Sequence, residues 1–246
     1  MWMALMWGGI SAAGALLGAL VSLMVHVPKR ILGWIMAFGT GTLIGAAVFE
    51  LLAEAVEGGG VLATAIGFTV GALVYTSFDV LVSKQGGAHR KRSGGGKGEE
   101  DQLAQRSKGI FAGTVMDAIP ESIMLGASVL AGGSVSIVLL VSIFISNFPE
   151  GLSSTAGLRK SGYSRRGILL LWSTVLLLSA LAAMGGYLFL ERLPEELVAG
   201  IGAFAGGGII AMICSTMMPE AFEEGGPVVG FIASMGLLVA LILDLV

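Results

Sequence analysis

Eight stretches of this chain, roughly residues 2–25, 31–56, 60–83, 109–131, 134–158, 167–190, 195–221 and 227–246, are long apolar runs broken by short connections or by charge. A helix of about 20 such residues crosses the ~30 Å hydrocarbon layer of a bilayer. Inside that layer every backbone N–H and C=O must be paired within the chain, which a helix does by itself. The expected fold is an all-α polytopic membrane protein with eight transmembrane helices. Hydrophobic residues make up 55% of the chain and charged residues 13%, against roughly 25% charged in soluble domains. That balance excludes a soluble globular enzyme, a disordered protein and a nucleic-acid-binding domain. Met1–Val25 lacks a basic leader and reads as a span, not a removable signal. A single cysteine, Cys214, excludes a disulfide framework and a Cys-cluster metal site.

The basic residues set a direction. Lys29, Arg30, Lys84, Arg90, Lys91, Arg92, Lys97, Arg106, Lys108, Arg159, Lys160, Arg165 and Arg166 all fall in connections after the first, third and fifth runs, and only Arg192 lies elsewhere. Positive connections stay on the cytoplasmic side. Both termini are therefore expected outside a cell (plasma or inner) membrane, with the lipid bilayer as the constant partner. Segment 84–108 is charged and glycine-rich and reads as a flexible basic cytoplasmic linker. It separates helices 1–3 (residues 1–83) from helices 4–5 (109–158), which precede helices 6–8 (159–246).

The second and seventh runs repeat one another at a displacement of 166 residues. Ala37-Phe38 aligns with Ala203-Phe204, Gly41 with Gly207, Glu54-Ala55 with Glu220-Ala221 and Glu57 with Glu223. The two runs cross in opposite senses, so the expected arrangement is an inverted repeat of helices 1–3 and 6–8 around helices 4 and 5, a pattern of secondary transporters.

The chemistry concentrates in that central pair. The fourth run carries Asp117-Ala118-Ile119-Pro120-Glu121-Ser122 and the fifth Ser146-Asn147-Phe148-Pro149-Glu150-Gly151. A carboxylate in mid-bilayer costs about 2.5–3.5 kcal/mol on insertion scales and marks a functional site by default. Proline leaves the carbonyl four residues earlier without its helical donor, which here concerns Met116 and Ile145. Carboxylate and carbonyl oxygens together suit a hard or borderline cation. Counted from the flanking basic residues at ~1.5 Å per residue, Asp117, Glu121 and Glu150 sit near the midplane. Asp117 and Glu121 share a helix face, as do Ser146 and Glu150. No Lys, Arg or His lies in the cores of these two runs. The expected metal ligands are Asp117, Glu121, Asn147 and Glu150, with Ser146 as a weak or water-mediated member. Glu54 and Glu57 are expected to line an outer mouth, and Glu220, Glu223 and Glu224 an inner one, where acids concentrate cations.

These motifs resemble those of the ZIP (Zrt/Irt-like) family of divalent metal transporters, in the bacterial form with Pro-Glu in both central helices. The resemblance spans nearly the whole chain and centres on a His-Asn-x-Pro-Glu-Gly type motif, matched by Ser146–Gly151 at all but its first position. It implies a divalent metal as substrate, moved into the cytoplasm, with no prosthetic cofactor. Asp117 and Ser146 stand where the family often has His or Gln, so the site is built mainly from oxygen. That composition admits zinc, manganese, iron, cobalt or cadmium. Ala118 replaces one ligand of the family's second site, so one strong site is expected.

An enzymatic function is not expected. The chain has no phosphate-binding GxxxxGK[ST] loop, and Ser146 and Ser153 have no intramembrane His or Lys to activate them. A non-transporting membrane metal sensor or scaffold is the alternative function. Small residues such as Gly14, Gly18 and Gly41 permit close helix packing, within one chain or in a homodimer.

Overall fold

The computed structural model describes residues 1–82, 113–115, 118–129 and 135–245. Among these residues the structure is entirely helical. Helix α1 is Trp2–Met24, α2 Lys29–Gly45 and α3 Ala53–Val82; α4 covers 118–129, α5 is Ile137–Lys160 and α6 Arg165–Leu190; α7 is Glu195–Met212, α8 Met218–Gly225 and α9 Val229–Asp244. The linker 84–108 and Asp117 lie outside the described residues.

Five helical stretches are long and apolar enough to cross a membrane: Trp2–Met24, Lys29–Leu81, Ile137–Lys160, Arg165–Leu190 and Glu195–Gly225. Helix α9 is shorter but equally apolar. The protein is a membrane protein by the distribution of its side chains as well. Helix α6 turns Leu170, Leu177, Leu181 and Leu188 outward and buries Ser179, Ala180, Ala183 and Gly186. In water large apolar residues belong inside; α6 buries Ile168, Trp172 and Val175 as well, yet still leaves a row of leucines outside that need a hydrocarbon solvent.

Two continuous stretches are interrupted in the same manner. Between α2 and α3 the backbone adopts a π-helical segment, Ala46–Leu52, and between α7 and α8 another, Ile213–Met217. Each carries one extra residue per turn, a device often found at functional sites. After each comes a glycine at positive φ. Gly60 (φ 73°) breaks α3 internally, and Gly226 (φ 75°) caps α8. A side chain at either position would be strained.

Contact registers give the helix directions. Gly67 lies against the Gly200 carbonyl and Ala203, and a Cβ on Gly71 would run into the carbonyl of Phe204, so the part of α3 after Gly60 runs parallel to α7. Helix α2 runs parallel to α9, with Gly41 against the Ala233 carbonyl and Gly45 against Ala240. It runs antiparallel to α5, where Ser142 Oγ donates to Thr42 O at 3.0 Å and Gly39 approaches Ser146. Helix α1 follows α5 in parallel through Gly14 and Gly18, which abut the Phe144 and Phe148 carbonyls. The longest cross-chain packing surfaces are α3 on α7, α1 on α5 and α2 on α9.

Candidate cation site in the helix bundle

Helix α5 positions the central groups. Its N-terminus is capped by Ser136 Oγ, which accepts from Leu139 N–H at 3.1 Å. Pro149 lies inside it, and Arg159 and Lys160 close its last turn. Ser146, Asn147, Glu150, Ser153 and Ser154 are all buried, and they form the polar seam of an otherwise apolar helix.

Each expected ligand has a defined place. Glu150 is 8% exposed, and its Oε1 accepts from Thr114 Oγ1 at 3.1 Å. That bond joins α5 to the short helical stretch 113–115. Asn147 Nδ2 donates to Ser11 O on α1 at 3.3 Å. Ser146 Oγ donates back to Ile143 O at 3.0 Å, within its own helix. Glu121 is 3% exposed and lines a cavity of about 190 Å³ with Pro120, Tyr75 and Met212. Among the described residues no three His, Cys, Asp or Glu side chains converge as a preformed metal cage.

The acids expected at the two mouths separate into different environments. Glu54 and Glu57 are exposed, and with Glu50 and Glu195 they line an open cavity of about 410 Å³. Glu50 follows the same helical spacing as Glu54 and Glu57, a signal visible in the sequence as acids at i, i+4 and i+7. Glu195 comes from α7 and had no such signal. Glu223 is exposed, whereas Glu224 pairs with Lys29 Nζ at 3.5 Å. Glu220 sits deeper than a mouth residue. It is only 5% exposed, and its Oε1 accepts from Ser153 Oγ at 3.1 Å. Thr114 and Ser153 are the polar groups that sequence reasoning missed; hydroxyls in apolar helices usually bond their own backbone, and only the tertiary structure shows these two reaching carboxylates.

Glu150 and Ser153 lie one turn apart on α5, so the structure strings Thr114, Glu150, Ser153 and Glu220 along the interior. Hydroxyl and carboxylate oxygens in such a row can coordinate a cation or pass it along. Comparison with protein-family models finds no match, and a search of curated proteins finds none either.

Proposed function

We propose that this protein is a divalent metal-ion transporter of the ZIP type, carrying a cation such as zinc, manganese, iron, cobalt or cadmium into the cytoplasm. The observation that carries this reading is the burial of three carboxylates, Glu121, Glu150 and Glu220, inside a bundle of apolar helices, with Glu150 and Glu220 each accepting from a buried hydroxyl. Burying several carboxylates together is costly unless a cation is paired with them, and a divalent cation held among these oxygens would offset that cost. Asn147 and the Ser153 hydroxyl add neutral oxygens. In this reading Asp117, one residue before α4 in sequence, is a further ligand.

The architecture supports a transporter. Gly60 and Gly226 stand 166 residues apart, the displacement of the sequence repeat. The π-helical segments Ala46–Leu52 and Ile213–Met217 overlap at the same displacement. The contacts repeat too: α2 packs on α9 through Gly41, and its counterpart α7 packs on α3 through Gly207, which abuts the Phe68 carbonyl. With the reversal at Gly60 counted as the boundary between two passes, the chain makes eight passes arranged as an inverted repeat. The cavity with Glu50, Glu54, Glu57 and Glu195 is the outer entry, and Glu220 stands on the inner route.

The test is uptake of metal into proteoliposomes holding a metal-sensitive dye. Saturable entry that is lost in Glu150→Gln supports the proposal. Metal binding to the purified protein with no entry at any gradient would establish the sensor or scaffold function instead.

A further inference from the structure

A third cavity, of about 550 Å³, opens where α1 and α5 end and α2 and α6 begin. Lys29, Arg159, Lys160 and Arg165 line it together with His26, and among the described residues no carboxylate does. Its floor is apolar, formed by Leu23, Leu32, Leu152 and Ala156. Its size falls within the roughly 300–1,000 Å³ of small-ligand sites. Two helices start at this place and two finish there, so their dipoles oppose one another and the side chains set the sign of the field.

With Lys29 offset by Glu224, the charges of Arg159, Lys160 and Arg165 still give the cavity a positive sign, which disfavours a path for divalent cations. The geometry points to a binding site for a phosphate-bearing anion, and specifically for the headgroup of an anionic phospholipid. Three features favour a lipid over a soluble phosphate. The floor and rim are apolar, with Met24 83% and Val25 59% exposed beside the cations. A free phosphate has no use for such surface, whereas acyl chains do. The cavity also stands at the end of the spanning helices, where headgroups are found, and basic pockets between helices at that level suit anionic headgroups. Finally, the cations are partly fixed before any ligand arrives. Arg159 Nη1 donates to Ser22 O at 3.2 Å, and Lys29 is held by Glu224 at 3.5 Å. A ligand in this cavity touches four helices from both ends of the chain's central region, so it would clamp α2 to the α1–α5 pair.

The experiment is native mass spectrometry of the full-length protein released from mixed micelles doped with phosphatidylglycerol or phosphatidylcholine, with wild type, Lys160→Gln/Arg165→Gln and the control Arg192→Gln. Each cation near an anionic surface contributes roughly a fivefold factor, so the double variant should retain phosphatidylglycerol about thirtyfold less well. Arg192→Gln should match wild type, and phosphatidylcholine should bind weakly to all three. Both exchanged residues of the double variant lie at the exposed end of the bundle, and its unfolding temperature in lipid-free detergent checks that it is folded. A parallel titration with inorganic phosphate separates the sources. Stabilisation by millimolar phosphate, lost in the double variant, with no preference for phosphatidylglycerol, would overturn the lipid assignment in favour of a soluble anion. Equal retention of phosphatidylglycerol by wild type and double variant would overturn the site itself. None of these measurements depends on metal transport.

Discussion

At the scale of single residues, Glu150 is the group on which the proposed function rests most directly. Glutamine keeps the shape and leaves an oxygen to accept from Thr114 Oγ1, so Glu150→Gln removes charge with little change in packing. The expected outcome is at least a tenfold loss of metal affinity, the effect that even supporting residues of metal sites produce. Stability without metal should be unchanged or slightly higher, because a buried carboxyl no longer needs desolvation. Thermal unfolding with and without metal checks both parts. Wild type should gain roughly 2.7 kcal/mol at a hundredfold excess of metal over Kd, and the variant should gain little at that concentration. An equal metal-induced shift in the two proteins would remove Glu150 from the site. Glu150 was legible in the sequence because a Pro-Glu pair in mid-helix has few structural explanations. Glu220 was only half legible. The same Pro-Glu pattern is present at Pro219-Glu220, but its place near a helix end made it look solvated. Its partner Ser153 is 67 residues away in sequence, a pairing that no local pattern encodes.

At the scale of helices, glycine governs how the elements meet. Gly71 and Gly207 let α3 and α7 approach until backbone touches backbone, since a Cβ on either would run into a carbonyl of the other helix. Gly71→Ala should therefore force the pair apart, at a cost of about 1–3 kcal/mol typical of overpacking. Gly185 in α6 has nothing near its missing Cβ, and alanine there should be neutral or stabilising by up to about 1 kcal/mol through helix propensity. Melting temperatures of the two variants in the same detergent should fall on opposite sides of wild type, or at least differ clearly. If they melted together, the close approach of α3 and α7 would not be a determinant of stability. The apolar runs themselves were readable from length and composition, because a bilayer imposes a minimum span. The π-helical segments were not. One additional residue in a turn leaves hydrophobic periodicity almost unchanged over seven or five residues, and what holds it is packing against neighbouring helices.

At the scale of the whole molecule, charge is divided between two ends. Lys29, Arg159, Lys160 and Arg165 gather around one cavity, and Glu50, Glu54, Glu57 and Glu195 around another. The sequence foretold this division by placing basic residues in alternate connections, although it could not show which connections meet in space. If the acidic cavity is the entry, Glu54→Gln/Glu57→Gln should slow uptake at low ionic strength by weakening the local field. The difference should shrink as salt brings the Debye length from about 30 Å at 0.01 M to about 10 Å at 0.1 M. A deficit that is independent of salt would mean that these acids act by direct contact and not through their field. The division also makes the proposed sidedness testable. Tyr163 and Glu196 are exposed residues flanking α6, whose 26 residues span about 39 Å at 1.5 Å each. That exceeds the ~30 Å hydrocarbon layer, so the two positions should face opposite aqueous compartments. In a Cys214→Ser background, which removes the one native thiol, an impermeant maleimide applied to intact cells should label Glu196→Cys directly. Tyr163→Cys, beside the basic cavity, should react only after the membrane is opened, because positive connections remain inside. Labelling of both from outside would show that α6 does not cross, and the alternation of passes built on it would fail. Labelling of Tyr163→Cys alone would invert the molecule, placing the acidic cavity in the cytoplasm and making the proposed direction of metal movement an export.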